Sequence, residues 1–119
     1  MAGNKLEEQW YGQVRKGLLE YIVFEVLKDG DNYGYAILQK IREYPSMTKV
    51  TESAVYPVLV RSVKEGLIES KKVSSNSGGP PRNYFTLQAK GRIKLAYMKQ
   101  YVHDLQLDLK NINLSLIHI

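Results

Sequence analysis

The chain contains no cysteine, two histidines, two phenylalanines and one tryptophan. Without cysteine it has no disulfide framework, no thiolate metal site and no thiol nucleophile. Of the histidines, His118 lies at the extreme C-terminus, and His103 stands beside Asp104 in a helical pattern, which reads as a surface pair rather than a general base or a metal ligand. No phosphate-cradling GxxxxGK loop occurs, and GDNYGYA (30–36) is only a turn with two glycines. No enzyme, metal or cofactor is therefore expected. Long uncharged apolar runs are missing too: the greasiest stretch, GLLEYIVFEVL (17–27), holds Glu20 and Glu25, and MAGNKLEEQWYG at the start lacks the apolar centre of a signal peptide. The expectation is a cytoplasmic protein with no membrane partner.

What is present is one domain's worth of chain, 119 residues with a hydrophobic fraction of 44%. Its formal net charge of +5 is unevenly spread. Residues 40–94 carry 11 Lys or Arg against 4 acids, net +7, and the remainder is net −2. A basic middle third points to a polyanionic partner or to a merely solvated face, and position must decide between them.

Apolar residues Trp10, Val14, Leu18, Leu19, Ile22, Val23, Val26 and Leu27 recur at helical spacing and predict a first helix ended by Asp29 and Gly30. Asn32 is placed to cap a second helix through Tyr35, Ile37, Leu38 and Ile41, which Pro45 stops. Thr51 is an N-cap for a third, with Val55, Leu59 and Val63 on its inner face, a bend at Pro57 and a stop at Gly66. Residues 67–73 and 83–87 read as strands of a hairpin around a Ser/Gly/Pro loop. Three helices followed by a hairpin outline a winged helix-turn-helix, a mainly α fold with a small β-hairpin (α+β). From about Ala89 a fourth helix carries Leu95, Met98, Val102, Leu105, Leu109 and Ile112 at alternating spacings of three and four, a heptad seam that suits a partner helix in a homodimer. The other reading is a helix folded back on its own domain.

In such a fold the third helix enters the DNA major groove. Here that segment is KVTESAVYPVLVR (49–61), in which Lys49, Thr51, Ser53 and Tyr56 can donate to phosphates or bases, while Arg61 and Lys64 reach the flanking backbone. Glu52 complements the helix dipole, or accepts from a cytosine amino group. The hairpin brings Lys71, Lys72 and Arg82, and the GGPP of its tip permits close backbone approach while limiting flexion.

The segments GLLEYIVFEVLKDGDNYGYAILQKI, ESAVYPVLVRSVKEGLIES and GGPPRNYFTLQAKG, in that order, resemble the PadR family of winged-helix transcriptional regulators over 17–91, and the short length is similar to its small, LmrR-like subfamily. The resemblance implies a homodimeric repressor on a palindromic double-stranded operator, with a multidrug or phenolic-acid response in some members. It implies that Tyr33, Gly34 and Tyr35 build the turn and pack the domain, that Tyr33 joins Thr51, Ser53, Ala54 and Tyr56 in the DNA-binding set, and that Gly79 and Arg82 form the wing tip. Ser62, where the family has an apolar residue, and Val60 and Val63, where it has polar ones, predict a rotated or reshaped inner face of the third helix. Gln88 replaces a capping threonine, which predicts a weaker start to the last helix. A pocket for a small aromatic effector would draw on Trp10, Val14, Tyr97 and Tyr101, although two tyrosines at helical spacing also serve plain interface packing. The expected organisation is a winged helix-turn-helix with an N-terminal helical extension at 1–90, a dimerisation helix at 91–113, and a non-native tail at 114–119, where LSLIHI matches a translated sequencing-library adapter. The competing reading is a winged-helix adaptor that holds a protein partner instead of DNA.

Overall fold

The computed structural model describes residues 2–74 and 78–117, with side chains at 5–74 and 78–114. The elements follow the order α1 (Ala2–Leu27), β1 (Asn32–Tyr33), α2 (Gly34–Arg42), a 3-10 turn (Pro45–Met47), α3 (Glu52–Lys64), β2 (Ile68–Val73), β3 (Arg82–Leu87) and α4 (Ala89–Ile117). A three-stranded antiparallel sheet in the order β1-β3-β2 lies against the helices.

The C-terminal half of α1 forms the spine of the core. Leu19, Val23, Phe24 and Leu27 turn inward at helical spacing and meet Ile37, Leu38 and Ile41 of α2, Val55, Val58 and Leu59 of α3, and Phe85 and Leu87 of β3. Burying one such side chain is worth about 1.5–3 kcal/mol, so this cluster is what sets the orientation of α3. Gly30, at φ 151°, and Gly66, at φ 74°, take up backbone angles that side chains disfavour and end α1 and α3 where the sequence places the stops.

Several expectations are corrected. α1 begins eight residues before Trp10. Asn32 does not cap α2, because its backbone is committed to the sheet: Asn32 faces Phe85 and Tyr33 faces Tyr84 across the β1–β3 ladder, and Tyr33 stands at the cap position without a side-chain bond. Thr51 occupies the N-cap of α3, but its hydroxyl pairs with the Ser53 hydroxyl at 3.0 Å rather than with a helix amide. The inner face of α3 is not rotated. Ser62 is 1% exposed and sits in line with Val55, Val58 and Leu59, while Val60 faces outward and Val63 packs half-buried at the margin.

The start of α4 is strongly anchored. The Gln88 side chain donates to Glu69 Oε2 at 3.1 Å, Lys90 Nζ donates to the Glu65 carbonyl at 3.1 Å, and the Arg92 guanidinium donates to the Lys28 carbonyl at 3.3 Å. Gly91 is pressed so closely on the Leu67 carbonyl that a Cβ there would lie 2.2 Å from the oxygen. Leu95 is 8% exposed and belongs to the core of its own chain, with Met98 packed against it. That corrects its placement in a dimer seam: heptad spacing states that a helix is wanted opposite, and for this first part of the seam α1 supplies it. Val102 and Leu105 are half-buried, and Leu109 and Ile112 are exposed.

Candidate nucleic-acid interface

α3 turns one side into the core and presents Ser53, Pro57, Val60 and Lys64 outward. Its N-terminus is open: the amides of Ala54 and Val55 return to the Thr51 carbonyl at 3.1 and 3.2 Å, whereas those at the very start of the helix have no partner within it. Such an end attracts anions through its free N–H groups and the helix dipole. Lys49, Thr51, Ser53, Ala54, Tyr56, Arg61 and Lys64 are all exposed along this element.

On one flank stands the wing. Its strands pair Lys71 with Tyr84, Lys72 with Asn83 and Val73 with Arg82. Directly opposed residues share a sheet face and neighbours along a strand alternate, so Lys71 and Arg82 stand on one face with Tyr84, and Lys72 on the other. The Arg82 guanidinium lies over the Tyr33 ring at 4.7 Å, and the Tyr33 and Tyr84 rings are tilted together at 5.7 Å. β1 thus supplies a tyrosine shelf on which the wing arginine rests. A cleft of about 450 Å³ separates this shelf from α3, lined among others by Tyr33, Tyr35, Glu52, Tyr56 and Arg82. Gly79 is exposed in the wing loop, and the neighbouring positions 75–77 of the predicted hairpin tip lie outside the described residues, as does His118.

Two predicted cations are less free than the sequence suggests. Lys49 Nζ donates to Glu8 Oε1 at 2.7 Å, and Glu8 also meets Arg15 at 3.5 Å. The Lys49 ammonium, through that hydrogen bond, holds the Glu8 carboxyl below its ordinary value, so the pair persists through neutral pH and is lost only as pH falls through that lowered value. Arg61 is drawn back towards Glu20 at 3.5 Å and Glu65 at 3.9 Å, and Lys94 of α4 reaches the same Glu20. His103 is exposed, and Asp104 accepts from Gln100 Nε2 at 3.1 Å. Among the described residues no group of His, Cys, Asp and Glu is placed to hold a metal.

The four residues expected to share an effector pocket do not converge within one chain. Trp10 and Val14 line a cavity of about 470 Å³ with Tyr11, Leu18 and Met47, between α1 and the link to α3. Tyr97 and Tyr101 do not line it; they project from α4, 69% and 67% exposed. The spacing that pairs them is a property of α4 alone, and nothing in it specifies what α1 carries opposite.

A helical trio that buries its first and second helices behind an outward third, followed by a basic hairpin, is a winged helix-turn-helix. Comparisons with known proteins agree. Residues 23–97 match the transcriptional regulator PadR-like family, and the chain belongs to that family, one of transcriptional regulators and not of enzymes. A PadR-like transcriptional regulator from Bacillus cereus is 32% identical, with 84% of this chain and 95% of that one covered and a TM-score of 0.75. A PadR family regulator from Eggerthella lenta shares the fold at 23% identity, with 94% and 96% covered and a TM-score of 0.78. The fold is also that of Bacillus subtilis PadR, solved in complex with operator DNA: 24% identity, 66% of this chain and 45% of that one, TM-score 0.59.

Proposed function

We propose that this regulator binds a palindromic operator as a homodimer and represses transcription, with α3 in the major groove and the wing on the adjoining phosphates. The carrying observation is the run of exposed positive groups along α3 and the wing beside it: Lys49 before the open start of the helix, Lys64 at its far end, and Lys71 and Arg82 on the wing. Thr51, Ser53 and Tyr56, in this reading, touch bases or phosphates, and Lys72 serves from the other wing face. Two-fold symmetry sets the half-sites roughly 10 base pairs apart, centre to centre. The site of action is the cytoplasm; no described helix is long and apolar enough to cross a membrane. A small aromatic effector, taken up where α1 and the exposed tyrosines of α4 from two protomers meet, stabilises a spacing of the reading heads that no longer fits the groove.

Fluorescence anisotropy on the duplex upstream of the protein's own gene, beside a scrambled duplex, tests this. The expected preference is on the order of a thousandfold, falling steeply as salt rises. Equal, weak binding to both duplexes would remove the operator reading for that site.

The distal seam of α4 supports the dimer, since Leu109 and Ile112 are 55% and 56% exposed in the single chain. A charge there costs the isolated fold little and breaks a seam between chains. Leu109→Glu with Ile112→Glu is therefore expected to give a folded monomer by analytical ultracentrifugation, with an unchanged circular dichroism spectrum. A stable dimer in that variant would place the contact elsewhere.

A further inference from the structure

On the flank of α3 opposite the wing, a groove of about 680 Å³ runs between α1 and α3, and its charged lining consists of Arg15, Lys16, Lys49 and Arg61. Thr51 and Ser53 line it as well. No carboxylate belongs to that lining: Glu8 and Glu20 reach Arg15, Lys49 and Arg61 from outside it. Lys16 is exposed and makes no ion pair among the described residues.

A helix lying in the major groove has a phosphate backbone on each side, the two separated by a groove about 12 Å wide. The wing supplies cations to one of them, and the second needs its own source. The groove geometry points to α1: we infer that Arg15 and Lys16 form a second phosphate clamp, which takes the DNA backbone on the side of α3 away from the wing. This inference rests on the operator-binding reading above. Lys49 and Arg61, on the shared wall, turn to the same strand. The Lys49 and Arg61 side chains are 67% and 56% exposed, so phosphates compete readily with the carboxylates that hold them in the free chain. The clamp lengthens the contacted duplex beyond what a reading helix and a wing reach, without adding any sequence information.

Salt dependence of binding reads the clamp directly, since each neutralised phosphate contributes about 0.9 to the slope of log affinity against log salt. On a long operator duplex, Lys16→Gln is expected to lower that slope by about 0.9 per protomer, and adding Arg15→Gln to lower it by about as much again. Affinity near physiological salt should fall roughly tenfold or more in the double variant, equally for operator and scrambled duplexes, because backbone contacts carry no base preference. Hydroxyl-radical footprinting should show the protection lost at the outer flank only, with thermal midpoints unchanged. A wild-type slope and footprint in the double variant, with selective binding retained, overturns the clamp and leaves the operator reading intact. Absence of selective binding by the unmodified protein overturns both.

Discussion

In the double variant Lys49→Glu, Arg82→Glu, operator binding is expected to fall by at least about a hundredfold, to the level of a scrambled duplex. The two positions bracket α3, one at its entry and one on the wing. Reversal does more than remove two contacts: each new carboxylate faces phosphate, and the one introduced by Lys49→Glu also confronts Glu8, which in the native chain holds the lysine at 2.7 Å. At Arg82 the loss includes the guanidinium stacked over Tyr33, an arrangement that fixes the charge before DNA arrives. Both side chains are exposed, so the fold should persist, and an unchanged thermal midpoint is the required control. Titrations across salt concentrations would separate the causes: a simple loss of phosphate contacts flattens the slope, whereas loss of base reading alone leaves it steep. Operator affinity equal to the wild type would overturn the docking of α3 and the wing together.

The second large effect is on stability and falls at Gly91. A methyl group there would stand 2.2 Å from the Leu67 carbonyl oxygen and 2.6 Å from Leu87 Cδ1. The first of these is backbone, and the same oxygen accepts the Gln88 amide at 2.9 Å, so it cannot retreat without breaking the junction of β3 and α4. Gly91→Ala gains helix propensity, about 1 kcal/mol, and loses several times that to the clash. A net destabilisation of about 2–4 kcal/mol is expected by urea denaturation, with a thermal midpoint lower by roughly 10 °C. A variant as stable as the wild type would mean that α4 can stand off the sheet at no cost.

Much of this fold is legible in the sequence because its signals are local. The glycines at 30 and 66, the spacing within each helix and the GGPP loop between alternating strands each report a feature of their own neighbourhood. β1 is not legible: two residues carry no periodicity, and Asn32 before a helix reads as a cap until a third strand claims its backbone. The first eight residues of α1 hold no large apolar side chain except Leu6, so no apolar stripe announces them. Leu95 reads as a dimer contact because the seam of α4 wants a helix opposite, and periodicity does not say whose. Arg15 and Lys16 are visible as a basic pair, QVRKG, but they fall in the part of the chain whose charge is net negative. Only the packing of α1 on α3 reveals that they border the same groove as Lys49 and Arg61.

The anchoring of α4 at one end has a mechanical side. Its contacts with the core are concentrated between Gly91 and Met98, and the helix continues to Ile117. Beyond Leu105, the last half-buried residue of its seam, that is a rod of roughly 18 Å, at about 1.5 Å per residue, so a tilt of about 10° carries the tip about 3 Å. The rod is a lever with its fulcrum against the Leu67 carbonyl, and its short arm is tied through Lys94 and Glu20 to the helix that orients α3. Angular play too small to disturb the core is thereby converted into a displacement of a few ångströms at the far end of the helix.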